Sequence, residues 1–424
     1  MVGHVRLLAA LLLAAGCSAP ARAPAPSPPP PFRIDAADLD RDPRPVSGAE
    51  AAQDLDDAVH DFDQAYAGID GLPRLPLPAT IAAARARLAA RRRWEPADLT
   101  RELATLFHMP DGHLAFGYGG RAPLRIAAWP EASPPLDRVA LAFPDGSSVG
   151  GDAARSRGAV ELVAGAVPRL VIRTFDSAAA AELSDLPAIA RRLRTTPAFV
   201  VDLRGNGGGN YGYAERFVLE LTDAPLQRLL EREVVSAAAA AGRANSARRR
   251  LARGEVPPEA RALFQEHVAT LEAEADALAA EGAGRREIVT EGGVVRGRAP
   301  GPLAGRAVFL VDRGCASACE MLVALARQIP GVIVAGEPTR GSMAAGEIAL
   351  FRLPRSGITV SLGTRGIRDP LGDFVETRGF LPDLPARGPD AAAEAERVAA
   401  YAAGGSRAGK PLRPRHARAP ASAR

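Results

Sequence analysis

Residues 199–209 read Phe-Val-Val-Asp-Leu-Arg-Gly-Asn-Gly-Gly-Gly. Phe199 to Leu203 is mostly apolar and holds two β-branched residues, the mark of a short buried strand. The glycines end that strand, and a helix is predicted from about Tyr213 to Leu221. A strand that breaks into glycines and feeds a helix leaves backbone N–H groups pointing outward, ready for a phosphate or an oxyanion. No Gly-Lys-Ser/Thr follows, so this is not a Walker loop. No acid at a strand end some twenty residues on completes a dinucleotide fingerprint. The same residues also suit a plain tight turn.

The pattern extends outward from this stretch. Leu170-Val171-Ile172 reads as a strand and Glu182 to Leu193 as an amphipathic helix. Beyond it come strand Ala307–Val311, helix Ser317–Arg327, strand Val332–Ala335 and strands near Ile348–Leu353 and Ile358–Leu362. Strands alternating with helices predict an α/β layered core over 166–390. Residues 46–120 read as an N-terminal helical lobe, with Ala51, Leu55, Val59, Phe62 and Tyr66 at steps of three or four. Pro110-Asp111-Gly112 is a turn, and His113 to Tyr118 is extended. Residues 121–165 predict short β-strands. An insertion over 224–300 carries the seam Phe264, Val268, Leu271, Ala275 and Leu278 on one helix. A partner helix from Leu226 to about Arg250 would make it a helical hairpin. That hairpin is either a structural excursion, a cap over the site or a pairing surface for a second copy. Residues 391–424 read as an Ala-rich helix followed by a basic tail.

Cys315-Ala316-Ser317-Ala318-Cys319-Glu320 directly follows the strand Ala307–Val311. A serine between small residues at a strand-to-helix turn can present its hydroxyl where free amides and the helix dipole stabilise negative charge. It can equally be a helix N-cap. A serine nucleophile needs a base, and the chain has six histidines. His4 and His416 lie in terminal segments, His60 in an early helix and His267 beside the seam. His108 lies in a helical stretch beside Phe107, where packing is the simpler role. His113 follows the turn and is open to presentation from a loop. Cys315 and Cys319, four apart, either close a small loop or remain two buried thiols. With no histidine nearby they make no zinc site, and no cofactor is implied.

Asp202-Leu203-Arg204-Gly205-Asn206-Gly207-Gly208 resembles the Asp-Leu-Arg-x-Asn-x-Gly-Gly segment of the C-terminal processing peptidases and the tricorn core. Ser317-Ala318-Cys319-Glu320 resembles their nucleophile segment Ser-Ala-x-Glu. Residues 336–341 resemble the Gly-Glu-x-Thr-x-Gly that follows, residues 379–383 their late Gly-x-x-Pro-Asp, and Asp111-Gly112-His113 their Asp-x-His. The resemblance implies a crotonase-like core of β-β-α units and a serine endopeptidase acting on polypeptide. Many members use a Ser-Lys dyad with the lysine twenty-five residues after the serine. Here that position is Ser342, and Lys410 is the single lysine of the chain. The interval from His113 to Pro168 is also too short for an inserted PDZ domain. The resemblance is therefore closest to the branch using serine, histidine and glutamate, and it implies Ser317, His113 and Glu376, with Glu347 and Asp383 as rival acids. The oxyanion hole it implies comes from the backbone of Ala318 and of Gly208 or Gly207. A non-catalytic peptide-binding protein and an esterase of small substrates are the alternatives on the same scaffold.

Charge and targeting set the compartment. The sequence pI of about 9.3 invites a nucleic-acid reading. Yet residues 405–424 hold six basic residues and no acid, and without them and Arg6 the acids outnumber the bases. The positive excess belongs to the tail, which excludes a nucleic-acid-binding body. Residues 1–16 read as a secretory signal: a charged start, then an apolar run from Leu7 to Ala15 too short to span a bilayer. Leu13-Ala14-Ala15-Gly16-Cys17 resembles a lipobox, in which Cys17 becomes a lipid-anchored N-terminus. Ordinary cleavage after Ala19 or Ala23 is the alternative. Residues 17–45 are a Pro/Ala-rich linker, with seven prolines between Ser18 and Pro31, a semi-rigid spacer. The expected location is the cell envelope, periplasmic or extracellular.

Overall fold

The computed structural model describes residues 32–35, 38–117, 158–290, 292–388 and 390–404. Cys17, the signal, residues 17–31 and 36–37 of the linker, most of the predicted β segment at 121–165 and the basic tail lie outside them.

The N-terminal helices are α1 (Gly48–Ala65), α2 (Pro78–Ala90) and α3 (Pro96–Leu106), with β1 (Val46–Ser47) paired to β2 (Arg93–Trp94). Ser47 caps α1. Its N–H donates to Glu50 Oε2 at 2.8 Å, and its Oγ accepts from Glu50 N at 3.3 Å, a reciprocal cap that fixes where the helix begins. The apolar stripe of α1 buries Leu55, Phe62 and Tyr66 completely. Phe62 stacks on Phe107 with ring centroids 4.3 Å apart. β3 (Ala115–Gly117) follows the turn predicted at Pro110–Gly112.

The first large sheet runs in the order β15-β12-β11-β6-β5-β4. Its members are β4 (Val160–Val163), β5 (Arg169–Ile172), β6 (Ala198–Asp202), β11 (Arg306–Val311), β12 (Val332–Gly336) and β15 (Leu384–Pro385). All pair in parallel except the edge strand β4. Parallel strands covered on both faces are apolar at every position, and Ala307 to Val311 are all fully buried. Phe199, Val201, Phe309 and Val311 meet the helices α4 (Ala180–Leu183), α5 (Leu186–Leu193), α6 (Tyr211–Leu219) and α9 (Ala318–Ala326). Ala198, Val200, Val308 and Leu310 meet Ala391, Ala392, Ala395 and Ala399 of α10 (Ala391–Gly404). The C-terminal alanines thus let a helix lie close on the opposite face of the same strands. The architecture is mixed α/β.

The second sheet runs β13-β14-β8-β9, with β3 also on β14. It holds β8 (Leu230–Val235), β9 (Arg286–Thr290), β13 (Ala345–Arg352) and β14 (Thr359–Arg368). Its apolar face packs on α1–α3 and on α7 (Ala237–Ala252). The insertion differs from a simple helical hairpin. It opens with β7 (Pro225–Gln227), paired to β10 (Val294–Arg296), and with β8, before α7 begins. Glu231 and Glu233 of β8 face Arg365 of β14 at 3.4 and 3.1 Å. These cross-strand ion pairs use charges that a helical reading of Leu226–Val235 leaves on a solvent face. The predicted seam does lie on α8 (Pro258–Ala280), where Phe264, Val268, Leu271, Ala275 and Leu278 are buried. Among the described residues no helix is long and apolar enough to cross a membrane.

Ala395 is 1% exposed against β6 and β11. Ala395→Asp buries an unpaired charge there and should lower unfolding stability by about 3 kcal/mol. Denaturant unfolding within 0.5 kcal/mol of the parent would contradict the placement of α10.

Candidate active site

Parallel strands bring their carboxyl ends to one edge, where α/β sheets place their sites. The segment after β6 and the segment after β11 meet at that edge. Arg204 folds back on Asp202 through Nε (2.9 Å) and Nη2 (2.7 Å), so this motif arginine is a strand-end brace. Asn206 is fully buried. Its Nδ2 donates to Ile172 O at 3.0 Å, its Oδ1 accepts from Gly208 N at 2.9 Å, and its carbonyl accepts from Ala316 N at 3.0 Å. One residue, through its side chain and its backbone carbonyl, therefore joins three strand ends.

Ser317 is the N-cap residue of α9 and has φ 54° and ψ −119°. A non-glycine side chain in this region costs about 1–3 kcal/mol and persists only where surrounding contacts impose it. A strained serine between a strand and a helix resembles the nucleophile elbow. Gly208 shows how tightly the glycine run approaches. A Cβ there would lie 2.6 Å from Ala316 O, 2.9 Å from Ala318 N and 2.9 Å from Ser317 Cβ, and Gly208 has φ 95°. The close approach and the left-handed backbone each require glycine. The Gly208 amide is already donated to Asn206, whereas that of Gly207 finds no acceptor among the described residues. Cys315 and Cys319 form a disulfide, with Cα atoms 5.4 Å apart.

Glu320 is fully buried on the first turn of α9. Its Oε1 accepts from Thr339 Oγ1 and Gly341 N, both at 2.6 Å. Its Oε2 accepts from Ser317 N at 3.1 Å and Ser342 N at 2.9 Å. Burial raises its carboxyl above the usual range, against the pull of those donors. The 339–342 loop is thereby fixed to the Ser317 turn. Ser342 is buried, and Gly112 abuts it: a Cβ on Gly112 would lie 2.5 Å from Ser342 Cβ. The space a lysine stem would need at this position is taken by the turn that leads into His113.

His113 N donates to Asp111 Oδ1 at 2.7 Å, and its Nδ1 lies 3.9 Å from the same oxygen. Glu376 is partly buried and accepts from Gly112 N (3.0 Å), Met343 N (3.1 Å) and Ala344 N (2.9 Å). Burial, and next the Asp111 carboxylate, hold its carboxyl well above the usual range. Tyr66 is buried and its phenol is raised, first by burial and then by Asp111 and Glu376. Thr377, beside Glu376, also has positive φ, at 70°. The rival acids lie in other settings. Glu347 occupies an irregular position in β13 and pairs with Arg365 at 3.6 Å. Asp383 accepts from Val334 N at 2.9 Å, holding the β12–β15 edge. His108 is exposed beyond the end of α3, because Phe107 takes the packed position. Asp111 and Asn206 had no assigned role in the sequence reading. Their signal was the short polar side chain next to a glycine turn, which often bonds the backbone two residues on.

The model of peptidase family S41 matches residues 168–386. The chain belongs to peptidase family S41. That span runs from β5 to β15 and contains Ser317, Glu320 and Glu376, while His113 and Asp111 lie before it. Among solved structures, mature CPAF complexed with lactacystin is 14% identical, over 83% of this chain and 97% of that one, with a TM-score of 0.50. A putative peptidase from Parabacteroides merdae is 16% identical over 86% and 98%, at 0.49. The photosystem II D1 C-terminal processing protease is 18% identical over 54% of this chain, at 0.33, and the chain spans 48% of its length. Identities this low speak to the fold alone. No curated protein matches the chain.

A carboxyl whose folded-state pKa lies above its unfolded value takes up a proton on folding. Its stabilisation is full below the unfolded pKa and is lost as pH rises through the folded one. Glu376→Gln should therefore flatten part of the fall in stability as pH rises above the ordinary carboxylate range. An unchanged slope in denaturant unfolding across that range would show that Glu376 titrates normally.

Proposed function

We propose that this chain is a serine endopeptidase of the cell envelope that hydrolyses peptide bonds through Ser317, His113 and Glu376. The observation that carries the reading is the pressing of Gly208 against Ser317 and Ala318, with Ser317 in a strained turn at a helix start. Ser317 Oγ attacks the scissile carbonyl. His113 takes the hydroxyl proton and returns it to the leaving amine. Glu376 orients the loop that presents the imidazole and stabilises its charged form. Asp111, whose Oδ1 lies 3.9 Å from His113 Nδ1, is a second acid within ion-pair reach of the same ring.

The tetrahedral oxyanion is bound by the amide of Ala318, at the first position of α9, and by an amide of the glycine run. Because Gly208 N–H is donated to Asn206, Gly207 takes the donor role. Gly208 supplies the close approach. Each such donor contributes about 10²–10³ in rate. The disulfide at Cys315–Cys319 supports folding in an oxidising compartment. With the lipobox-like residues ending in Cys17, it supports a lipid-anchored protein whose substrates are polypeptides.

A fluorophosphonate probe should label the purified protein on Ser317, and Ser317→Ala should abolish labelling. Labelling that survives the substitution, or none in the parent, would sink the reading. Glu376→Gln should lower kcat on casein by about 10²-fold or more with KM little changed. If Asp111→Asn gave the larger loss, Asp111 and not Glu376 would be the third member.

A further inference from the structure

The disulfide between Cys315 and Cys319 has a place in the chain that a general stabilising cross-link does not need. Its ring holds five residues, and Ser317 is the central one. Both cysteines are fully buried. Four peptide steps can extend to roughly 13 Å, but the two Cα atoms stand 5.4 Å apart, so the bond admits only a tight turn. Loop-closure stabilisation is lower for a ring this short, about 2 kcal/mol against about 3 for fifteen residues. A staple chosen for stability would span a longer loop.

The turn is otherwise held mainly at its entrance. Cys315 N donates to Asp312 O at 3.0 Å, Cys315 O accepts from Arg340 N at 2.9 Å, and Ala316 N donates to Asn206 O. Ser317 N is held by Glu320. Past the serine, Cys319 N donates to Ala316 O at 3.1 Å and Met321 N to Ser317 O at 3.0 Å. These last two bonds also form in a relaxed helix start, so they do not by themselves keep Ser317 at φ 54°. The bond between the sulfurs adds a covalent tie from the residue two before the serine to the residue two after it.

We propose that the Cys315–Cys319 disulfide is a positioning clasp that keeps Ser317 in its strained conformation, with its hydroxyl aligned to the Ala318 amide and the glycine run. The proposal rests on Ser317 being the nucleophile. It makes the clasp a condition of attack, so the chain gains full reactivity only after the two thiols have been oxidised.

The test compares the full chain with its Cys315→Ala/Cys319→Ala variant. The expected rate of fluorophosphonate attachment falls at least tenfold, and kcat on a peptide falls with it while KM stays within twofold. Amide hydrogen exchange over 315–319 rises at least tenfold, with β6 and β11 unchanged. A purely structural bond would move stability and leave the kcat-to-KM split and the local exchange alone. Exchange and attachment rates both within twofold of the parent overturn the clasp. The exchange arm does not depend on chemistry: faster exchange in a protein that never labels would sink the peptidase reading and keep the clasp. Should the double variant fail to fold, the parent is reduced with a phosphine until two further thiols titrate. It is then reoxidised by oxidised glutathione, which takes up two electrons and two protons and leaves two reduced glutathiones as the disulfide re-forms. Attachment should fall and then return. A reduced protein that labels as fast as the oxidised one overturns the proposal.

Discussion

The Glu320 carboxylate is the constraint on which the rest of the site depends. It is fully buried and accepts four hydrogen bonds, one from the Ser317 turn and three from the 339–342 loop. Leaving such donors unpaired in a low-dielectric interior costs about 1–3 kcal/mol each. The carboxylate therefore locks the two loops to each other. The 339–342 loop carries Ser342, against which Gly112 packs, and Gly112 in turn donates to Glu376. A chain of contacts thus runs from the serine turn to the histidine turn, although the two lie about two hundred residues apart in sequence.

The same frame accounts for the missing lysine. In a Ser-Lys arrangement the stem of the lysine fills the space beside the nucleophile loop. Here the small Ser342 and the glycine at 112 let the turn before His113 occupy that space. Asn206 and Asp111 serve the two sides in the same manner, each fixing a glycine turn through its side chain.

Much of this was legible in the sequence because local chemistry and tertiary packing agree there. Phe199–Val201 and Ala307–Val311 are apolar throughout because both faces of the parallel sheet are covered. The glycine run and the small residues around Ser317 mark close backbone approach. The stripe on α1 and the seam on α8 follow from burial of one helix face. The insertion was harder. Glu231 and Glu233 look solvent-facing in isolation, and their partner Arg365 on β14, to which β8 pairs, lies more than a hundred residues later. The sequence offered Glu376 as the acid, with Glu347 and Asp383 as rivals. Asp111 and Glu376 both bond the backbone of the turn before His113, a convergence that no sequence spacing encodes.

The central claim is that Ser317, His113 and the Ala318 amide converge on one carbonyl. A crystal structure of the protein bound to a peptidyl boronate tests it most directly. The account predicts boron bonded to Ser317 Oγ, one boronate oxygen within hydrogen-bond distance of Ala318 N, and the His113 ring within reach of Ser317 Oγ or the second oxygen. Boron on another residue, or a His113 ring turned away with a different base in its place, would contradict it.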